Sequence, residues 1–202
     1  MRPLGFPNWE ELYRSDTVEA LPWYWPSIDP DLEAVLARQG LAAGRALDQG
    51  TGPGTQAIAL AERGFTVTAT DVSDAALEYA ARKAKARGVA VTFVHDDVLA
   101  TSLTQTFDLI FDRGCFHVID PDRRAGYVET MHRLVAPSGW LFLKTFSHLQ
   151  PGTEGPHRFA PQDIRGLFAD GKRFELVEIF ETVYQGQLDP YPKALFSALR
   201  RV

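Results

Sequence analysis

The chain has 202 residues, 45% of them hydrophobic, which is enough to bury a sizeable core without metals or disulfides. A single cysteine, Cys115, excludes an internal disulfide and fits a reducing cytoplasm. The formal net charge of −5 argues against nucleic acid as partner, and no signal peptide, basic tract or membrane-spanning apolar run is found, so a soluble cytoplasmic protein is expected.

In chain order, a lead-in rich in aromatics and proline, Phe6-Pro-Asn-Trp9 through Trp23-Tyr-Trp-Pro26, precedes a helix that starts at Asp29-Pro-Asp-Leu, with an acid cap and proline near its first turn. A first strand is predicted to end at Leu47. A helix from Thr55 to Arg63 follows, capped by Thr55 and stopped by Gly64. Strand two, Phe65 to Thr70, ends near Asp71; Ser73 caps a helix over Ala75 to Arg87 that Gly88 ends. Val91–Val94 and Phe107–Phe111 make strands three and four, with a helix from Arg123 to Val135 before Pro137. The long apolar run Trp140–Phe146 is strand five, a helix covers Pro161 to Ala169, and Phe174–Val183 and Ala194–Arg201 are two closing strands. This alternation of strand and helix implies one α/β domain with a doubly wound sheet whose ligands bind at the carboxyl ends of the strands, where Asp48, Asp71, Asp97 and Asp112 fall.

The most informative stretch is Ala46-Leu-Asp-Gln-Gly-Thr-Gly-Pro-Gly-Thr55. Gly50, Gly52 and Gly54 allow a ligand to lie against bare backbone just before a helix N-terminus. The spacing is G-x-G-x-G, not the G-x-G-x-x-G of a pyrophosphate loop. Asp71, at the end of the next strand, can accept both hydroxyls of a ribose, which is a nucleoside signal.

Together these features resemble the class I S-adenosylmethionine (SAM) methyltransferases. The stretch Phe107-Asp-Leu-Ile-Phe-Asp-Arg-Gly-Cys-Phe-His-Val-Ile-Asp-Pro-Asp-Arg-Arg-Ala-Gly-Tyr127 and the later Gly155-Pro-His-Arg-Phe-Ala-Pro-Gln-Asp-Ile-Arg-Gly-Leu-Phe168 resemble the thiopurine S-methyltransferase family, as do Trp9 and Tyr13 near the start. The resemblance implies a mostly parallel, seven-stranded, Rossmann-like sheet whose last strand is antiparallel and lies between the fifth and sixth. It divides the single domain into a cap region over 1–43, a cofactor core over 44–146 and an acceptor side over 147–202. It also implies cofactor contacts from Trp9, Tyr13, Asp48, Gly50, Thr51, Gly52, Gly54, Asp71, Val72, Asp97, Val98 and Asp112. In His95-Asp-Asp-Val98, Asp97 with Val98 fits the adenine register, and Asp96 is the alternative. Arg113 would face the acceptor and hold its anionic group, unless it pairs with Asp112 or Asp120. A second acceptor-facing arginine of the family's mammalian members would fall near Glu181 to Gln185, where none stands.

The implied reaction is methyl transfer from SAM to a small molecule, an aromatic or heteroaromatic thiol first, then hydroxyls, carboxylates or selenium and tellurium oxyanions, by a protein acting as a monomer. A thiol of low pKa needs no base; for others His117 is the candidate, ahead of His148 and His157. His95 is expected merely to end its strand, and Cys115 to be a small buried side chain. Trp23, Tyr24, Trp25, Phe116, Phe146 and Phe159 could line an acceptor pocket or belong to the core, and the loop Ser147 to Arg158 is expected to cover it. No metal site is expected. Two other classes stay open: an NAD(P)-dependent oxidoreductase, disfavoured by the glycine spacing and by the misplaced Tyr79-Ala-Ala-Arg-Lys83, and a SAM-binding protein without catalysis.

Overall fold

The computed structural model describes residues 7–15 and 17–202, so Phe6 and the five residues before it in the cap region lie outside the described residues. Among the described residues, six α-helices and eight strands are laid out in the order expected of alternating units. The helices are α1 (Trp9–Ser15), α2 (Pro30–Gln39), α3 (Thr55–Glu62), α4 (Asp74–Arg87), α5 (Arg124–Leu134) and α6 (Pro161–Phe168). The strands are β1 (Gly44–Gln49), β2 (Phe65–Asp71), β3 (Val91–His95), β4 (Phe107–Arg113), β5 (Val135–Ser147), β6 (Arg158–Phe159), β7 (Phe174–Val183) and β8 (Lys193–Arg201). Strand order is β3-β2-β1-β4-β5-β8-β7, with the two-residue β6 paired to β5 off this path. The first five strands run parallel, and β8 is antiparallel between β5 and β7. This is the doubly wound sheet with an antiparallel final strand; the short β6, in a stretch expected to be loop, is the addition.

Three boundaries differ from expectation in ways that matter. β1 runs two residues beyond Leu47 and β4 two beyond Phe111, so Asp48, Asp112 and Arg113 belong to strand ends rather than to the loops after them. Thr55 does not cap α3: Gly54 is its N-cap, in left-handed conformation, and a carboxylate from β1 serves the helix start instead. The lead-in, which lacks long periodicity, contains α1 and a single 3₁₀ turn at Val18–Ala20. Where capping is local the sequence signal held: Ser73 Oγ accepts the Ala76 N–H at the start of α4, and Gly88 ends that helix with φ 69°.

Strand alternation sorts the core onto the two faces of the sheet. Phe107, Ile110, Leu141 and Leu143 pack with Tyr127, Met131 and Phe168 from α5 and α6. Leu109, Phe111, Phe142 and Phe196 pack on the other face with Leu32, Val35 and Leu60 from α2 and α3. Each such large side chain contributes roughly 1.5–3 kcal/mol by leaving water. A smaller cluster joins Tyr13, Val18, Leu21 and Tyr24 to Ala75 and Ala76, which seats the N-terminal segment on α4. Among the described residues no helix is long and apolar enough to cross a membrane.

Candidate functional site

The glycine loop leaves β1 over a buried acid. Asp48 Oδ2 accepts the Thr51 hydroxyl at 2.6 Å and the Ala57 N–H at 2.9 Å, and burial pushes its carboxyl up to about 6. Asp48 thus braces the loop and the start of α3 from beneath, with its carboxylate turned into the protein. The Thr51 N–H is tied to Thr70 O on β2 at 2.8 Å. Asp71 then straddles the loop and α4: Oδ2 accepts the Gly52 N–H at 2.8 Å and Oδ1 the Ser73 N–H at 3.0 Å. Burial raises its pKa against the pull of these amides. Val72 beside it is 46% exposed, an apolar platform at the strand end.

α1 closes over this loop. The Tyr13 hydroxyl stands 2.5 Å from where a Cβ on Gly52 would be, so only glycine, here with φ 49°, lets the cap approach. Trp23 donates its indole N–H to that hydroxyl at 3.1 Å, and Trp9 meets Trp23 edge to face at 5.8 Å. Glu10 accepts from Ser73 Oγ at 2.8 Å and the Ala75 N–H at 3.0 Å, fastening α1 to the start of α4. Of the two aromatics expected over the cofactor, Tyr13 lies against Gly52, and Trp9 stands behind it against Trp23.

Beyond β3 the two aspartates separate. Asp96 is buried and accepts the Ser102 N–H at 2.9 Å, leaving Oδ2 without a partner among the described residues. Asp97 is exposed, with Oδ1 on the Leu99 N–H at 2.9 Å, and Val98 is buried beside it. His95 pairs with Asp74 at the surface, 2.7 Å apart, as an end-of-strand side chain.

At the end of β4 the expected roles shift. Asp112, fully buried, accepts from the N–H groups of Gly114 (3.0 Å), Cys115 (2.8 Å) and Phe116 (3.0 Å) and from the Tyr127 hydroxyl (2.7 Å). Its carboxylate is spent on the turn over Gly114–Phe116 and on Tyr127, and burial pushes it up to about 6. Cys115 lies against that loop, its Cβ 2.8 Å from the Cβ position of Gly50, and burial pushes its thiol up. Arg113 pairs with neither Asp112 nor Asp120. Its Nε donates to Asp29 Oδ2 at 2.8 Å, Nη1 to Trp23 O at 3.1 Å and Nη2 to Gln185 O at 2.6 Å, and the Tyr184 ring covers it at 4.5 Å. The side chain expected to face an acceptor is therefore engaged by the protein.

His117 is also held. Its Nδ1 accepts the Phe146 N–H at 3.2 Å, and burial, followed by the charge of Arg113, lowers its pKa to about 3. The neutral ring then carries its proton on Nε2, which makes it a donor and not a base. It stacks on Tyr184 at 5.7 Å.

Five residues that hold Arg113 and its surroundings in place had no such part in the sequence reading: Asp29, Asp31, Lys144, Tyr184 and Gln185. Lys144, fully buried, is the register partner of Arg113 on β5. Its Nζ donates to Asp29 Oδ2 at 2.8 Å, Asp31 Oδ2 at 2.7 Å and Gln185 Oε1 at 2.8 Å. Two cations at adjacent strand ends are matched by two acids from the start of α2. The available signal was a lysine inside an otherwise apolar strand, since an unpaired buried charge is prohibitive. Of the aromatics expected to line an acceptor pocket, Phe116 and Phe159 are core and Tyr24 lies against Lys83. Phe146 and Trp23 stay half-buried by Tyr184 and Arg113. The 147–158 loop is stapled by Arg158, whose guanidinium donates to the carbonyls of Gln150, Pro151, Glu154 and Pro156.

A family model described as a methyltransferase domain matches residues 46–139, from β1 into β5. A 2-heptyl-1-hydroxyquinolin-4(1H)-one methyltransferase of Mycobacteroides abscessus is 32% identical over 166 residues, covering 78% of this chain and 73% of its own. Thiocyanate methyltransferase 1 of Brassica oleracea is 31% identical over 179 residues, covering 88% and 77%. A solved structure described for conversion of a disulfide bond into a thioacetal group during echinomycin biosynthesis superposes with a TM-score of 0.81 at 27% identity, over 95% of this chain and 91% of that one. The oxidoreductase alternative falls with these likenesses. Sequence relatives above 30% identity that the chain covers to more than two thirds, and a shared fold, agree that the chain belongs to the class I SAM-dependent methyltransferases, enzymes that transfer methyl groups to small molecules.

Proposed function

We propose that this enzyme methylates a small nucleophile that arrives as an anion, a thiolate before an ionised oxygen. The observation that carries the reading is that, among the described residues, neither ionisable side chain expected at the end of β4 is free to take a proton. His117 has its Nδ1 occupied and its pKa lowered to about 3, and the carboxylate of Asp112 is consumed by four donors. An acceptor that needed deprotonation would find no base there, whereas one of low pKa needs none. The names of the relatives, which include a thiocyanate and a 1-hydroxyquinolone methyltransferase, and the thiopurine-family likeness of Asp112-Arg113-Gly114 support the same class.

In this reading Gly50, Thr51 and Gly52 pass the methionyl end of SAM, and Asp71 takes the ribose hydroxyls. Val72 and Val98 flank the adenine, Asp97 receives its amino group, and Trp9 and Tyr13 cover it. Asp48, Gly54 and Asp112 keep the frame in shape, and Arg113 acts as a positioning residue behind the acceptor wall. Transfer from a sulfonium is an in-line displacement, so holding the nucleophile collinear with the S–CH₃ bond supplies the acceleration, about 7–11 kcal/mol in the favourable limit. Each chain holds every residue invoked, and we take it to act as a monomer. Titration calorimetry with S-adenosylhomocysteine (SAH), with NAD and NADP as controls, tests the cofactor site. Micromolar binding that Asp71→Ala weakens about 100-fold is expected, a loss of roughly 2–3 kcal/mol from charge-assisted bonds. A screen of thiols, phenols and carboxylates should then give rates that follow the ionised fraction of the acceptor; turnover confined to neutral alcohols would overturn the reading.

A further inference from the structure

Gln185, the second residue after β7, is held at both ends by cations from other strands. Its backbone oxygen accepts Arg113 Nη2 at 2.6 Å, and its side-chain Oε1 accepts Lys144 Nζ at 2.8 Å. Arg113 ends β4 and Lys144 is its register partner on β5, whereas β8 stands between β5 and β7. The chain leaving β7 therefore turns inward over the end of the sheet, toward the glycine loop, where Cys115 packs against Gly50 two residues after Arg113. Its neighbours are tied down as well. Thr182 Oγ1 donates to Asp31 Oδ2 at 2.9 Å, the Tyr184 N–H to Pro192 O at 2.7 Å and the Gln187 N–H to Pro22 O at 2.9 Å. Residues 184–186 are buried while 187–191 are exposed, so one half of the β7–β8 connection is fixed and the other lies in solvent.

A buried lysine beside a buried arginine adds little net stability over an apolar pair of the same volume, because desolvation of the charges offsets their attraction to Asp29 and Asp31. What an apolar pair could not do is fix oxygens on a third segment. The planar fork of Arg113 sends Nε to Asp29, Nη1 to Trp23 O and Nη2 to Gln185 O, three separate parts of the chain in one geometry. Lys144 then takes the side chain of the same glutamine and the two acids of α2. The spacing between the N-terminal segment and the β7–β8 connection is thereby set by hydrogen-bond lengths, beside the Gly50 end of the loop.

We infer that Arg113 and Lys144 are positioning residues that pin Gln185, making residues 184–186 a fixed wall that limits the width of the acceptor. The inference rests on the methyl-transfer reading above and adds to it the residues that select acceptors by size. Neither cation touches the reacting atoms; both act through the wall.

Gln185→Met keeps the volume and the backbone carbonyl and removes the oxygen that Lys144 holds, whereas Gln185→Glu keeps an oxygen there. Arg113→Lys keeps the charge and loses the fork. Benzenethiolate and 2-naphthalenethiolate, a narrow and a wide acceptor, serve as probes, with SAH affinity measured alongside. In Gln185→Met and Arg113→Lys the ratio of kcat/KM for the wide over the narrow thiolate should rise about fivefold or more, with wild-type selectivity in Gln185→Glu and SAH affinity and the midpoint of the pH profile unchanged throughout. A merely structural loss would lower both acceptors alike and leave that ratio where it was. Hydrogen exchange over residues 184–186 should quicken about tenfold in Gln185→Met while β7 and β8 stay protected. An unchanged ratio in Gln185→Met overturns the pin, as does a Gln185→Glu that behaves like it. Wild-type selectivity in Arg113→Lys would mean that charge and not the fork matters, and overturns it too. If wild type binds SAH but methylates neither thiolate, or if Gln185→Met fails to fold, exchange over 184–186 in Arg113→Lys decides, and unchanged protection there overturns the pin. A wild type that binds no SAH overturns the methyl-transfer reading itself and leaves the pin to the same exchange measurement.

Discussion

His117 illustrates how its surroundings fix the chemistry of a side chain. Burial and Arg113 lower its pKa to about 3 from the ordinary 6.5. Between those values the unfolded chain binds a proton that the native state refuses. The contribution of this residue to stability is therefore complete above about pH 6.5 and is lost as pH falls toward 3. At pH 5 the loss is about 2 kcal/mol for this single group. In urea melts at pH 7.5 and pH 5, wild type should lose about that much more stability than His117→Gln, whose amide oxygen can still accept the Phe146 N–H. The buried carboxyls of Asp48 and Asp112, raised to about 6, act in the opposite sense in both proteins, so the difference between the two isolates His117. That an acid would stand at the end of β4 was legible in the sequence. That Tyr127, fifteen residues away, would share its carboxylate was not, because that contact depends on how α5 packs.

Between elements, the decisive contact is α2 against the ends of β4 and β5. Sheet register puts Arg113 beside Lys144, two like charges at neighbouring strand ends, which would repel without the acids that α2 brings. Asp29 serves both cations and, as N-cap, also accepts the Asp31 N–H at 3.0 Å. Removing one partner of a buried ion cluster leaves uncompensated charge, so Asp29→Ala should cost about 3–5 kcal/mol in urea unfolding. A loss below about 1 kcal/mol would mean that water already reaches these groups. The Asp29-Pro-Asp31 pattern announced a helix start, and it did so for a local reason. Its second use, as counter-charge for β4 and β5, depends on a crossing of elements that no local pattern encodes.

For the whole molecule, the N-terminal segment is clasped to the connection between the last two strands. Gly186 and Gln187, in the β7–β8 connection, lie on the Pro22–Tyr24 segment: the Gln187 N–H donates to Pro22 O at 2.9 Å, and its side-chain amide to Tyr24 O at 3.2 Å. A Cβ on Gly186 would collide with the Pro22 carbonyl. Gly186→Ala should therefore spring the N-terminal segment, with SAH affinity lowered about tenfold and faster hydrogen exchange over residues 17–28 while the sheet stays protected. Unchanged exchange there would show that the clasp does not hold the cap. The sequence by itself determined every strand but β6, most helices and the spacing of the glycine loop and its acid, and through them the methyltransferase family. Those signals are short-range: strand alternation, helix caps and loop spacing act over a few residues. Only the tertiary structure decided that Arg113 is turned to Asp29, that Lys144 is buried and matched, that His117 is a donor, and that Tyr184 faces Gly114. Asp29 is 84 residues from Arg113 and 115 from Lys144, so their pairing exists only once the sheet has set its register and α2 has docked on it.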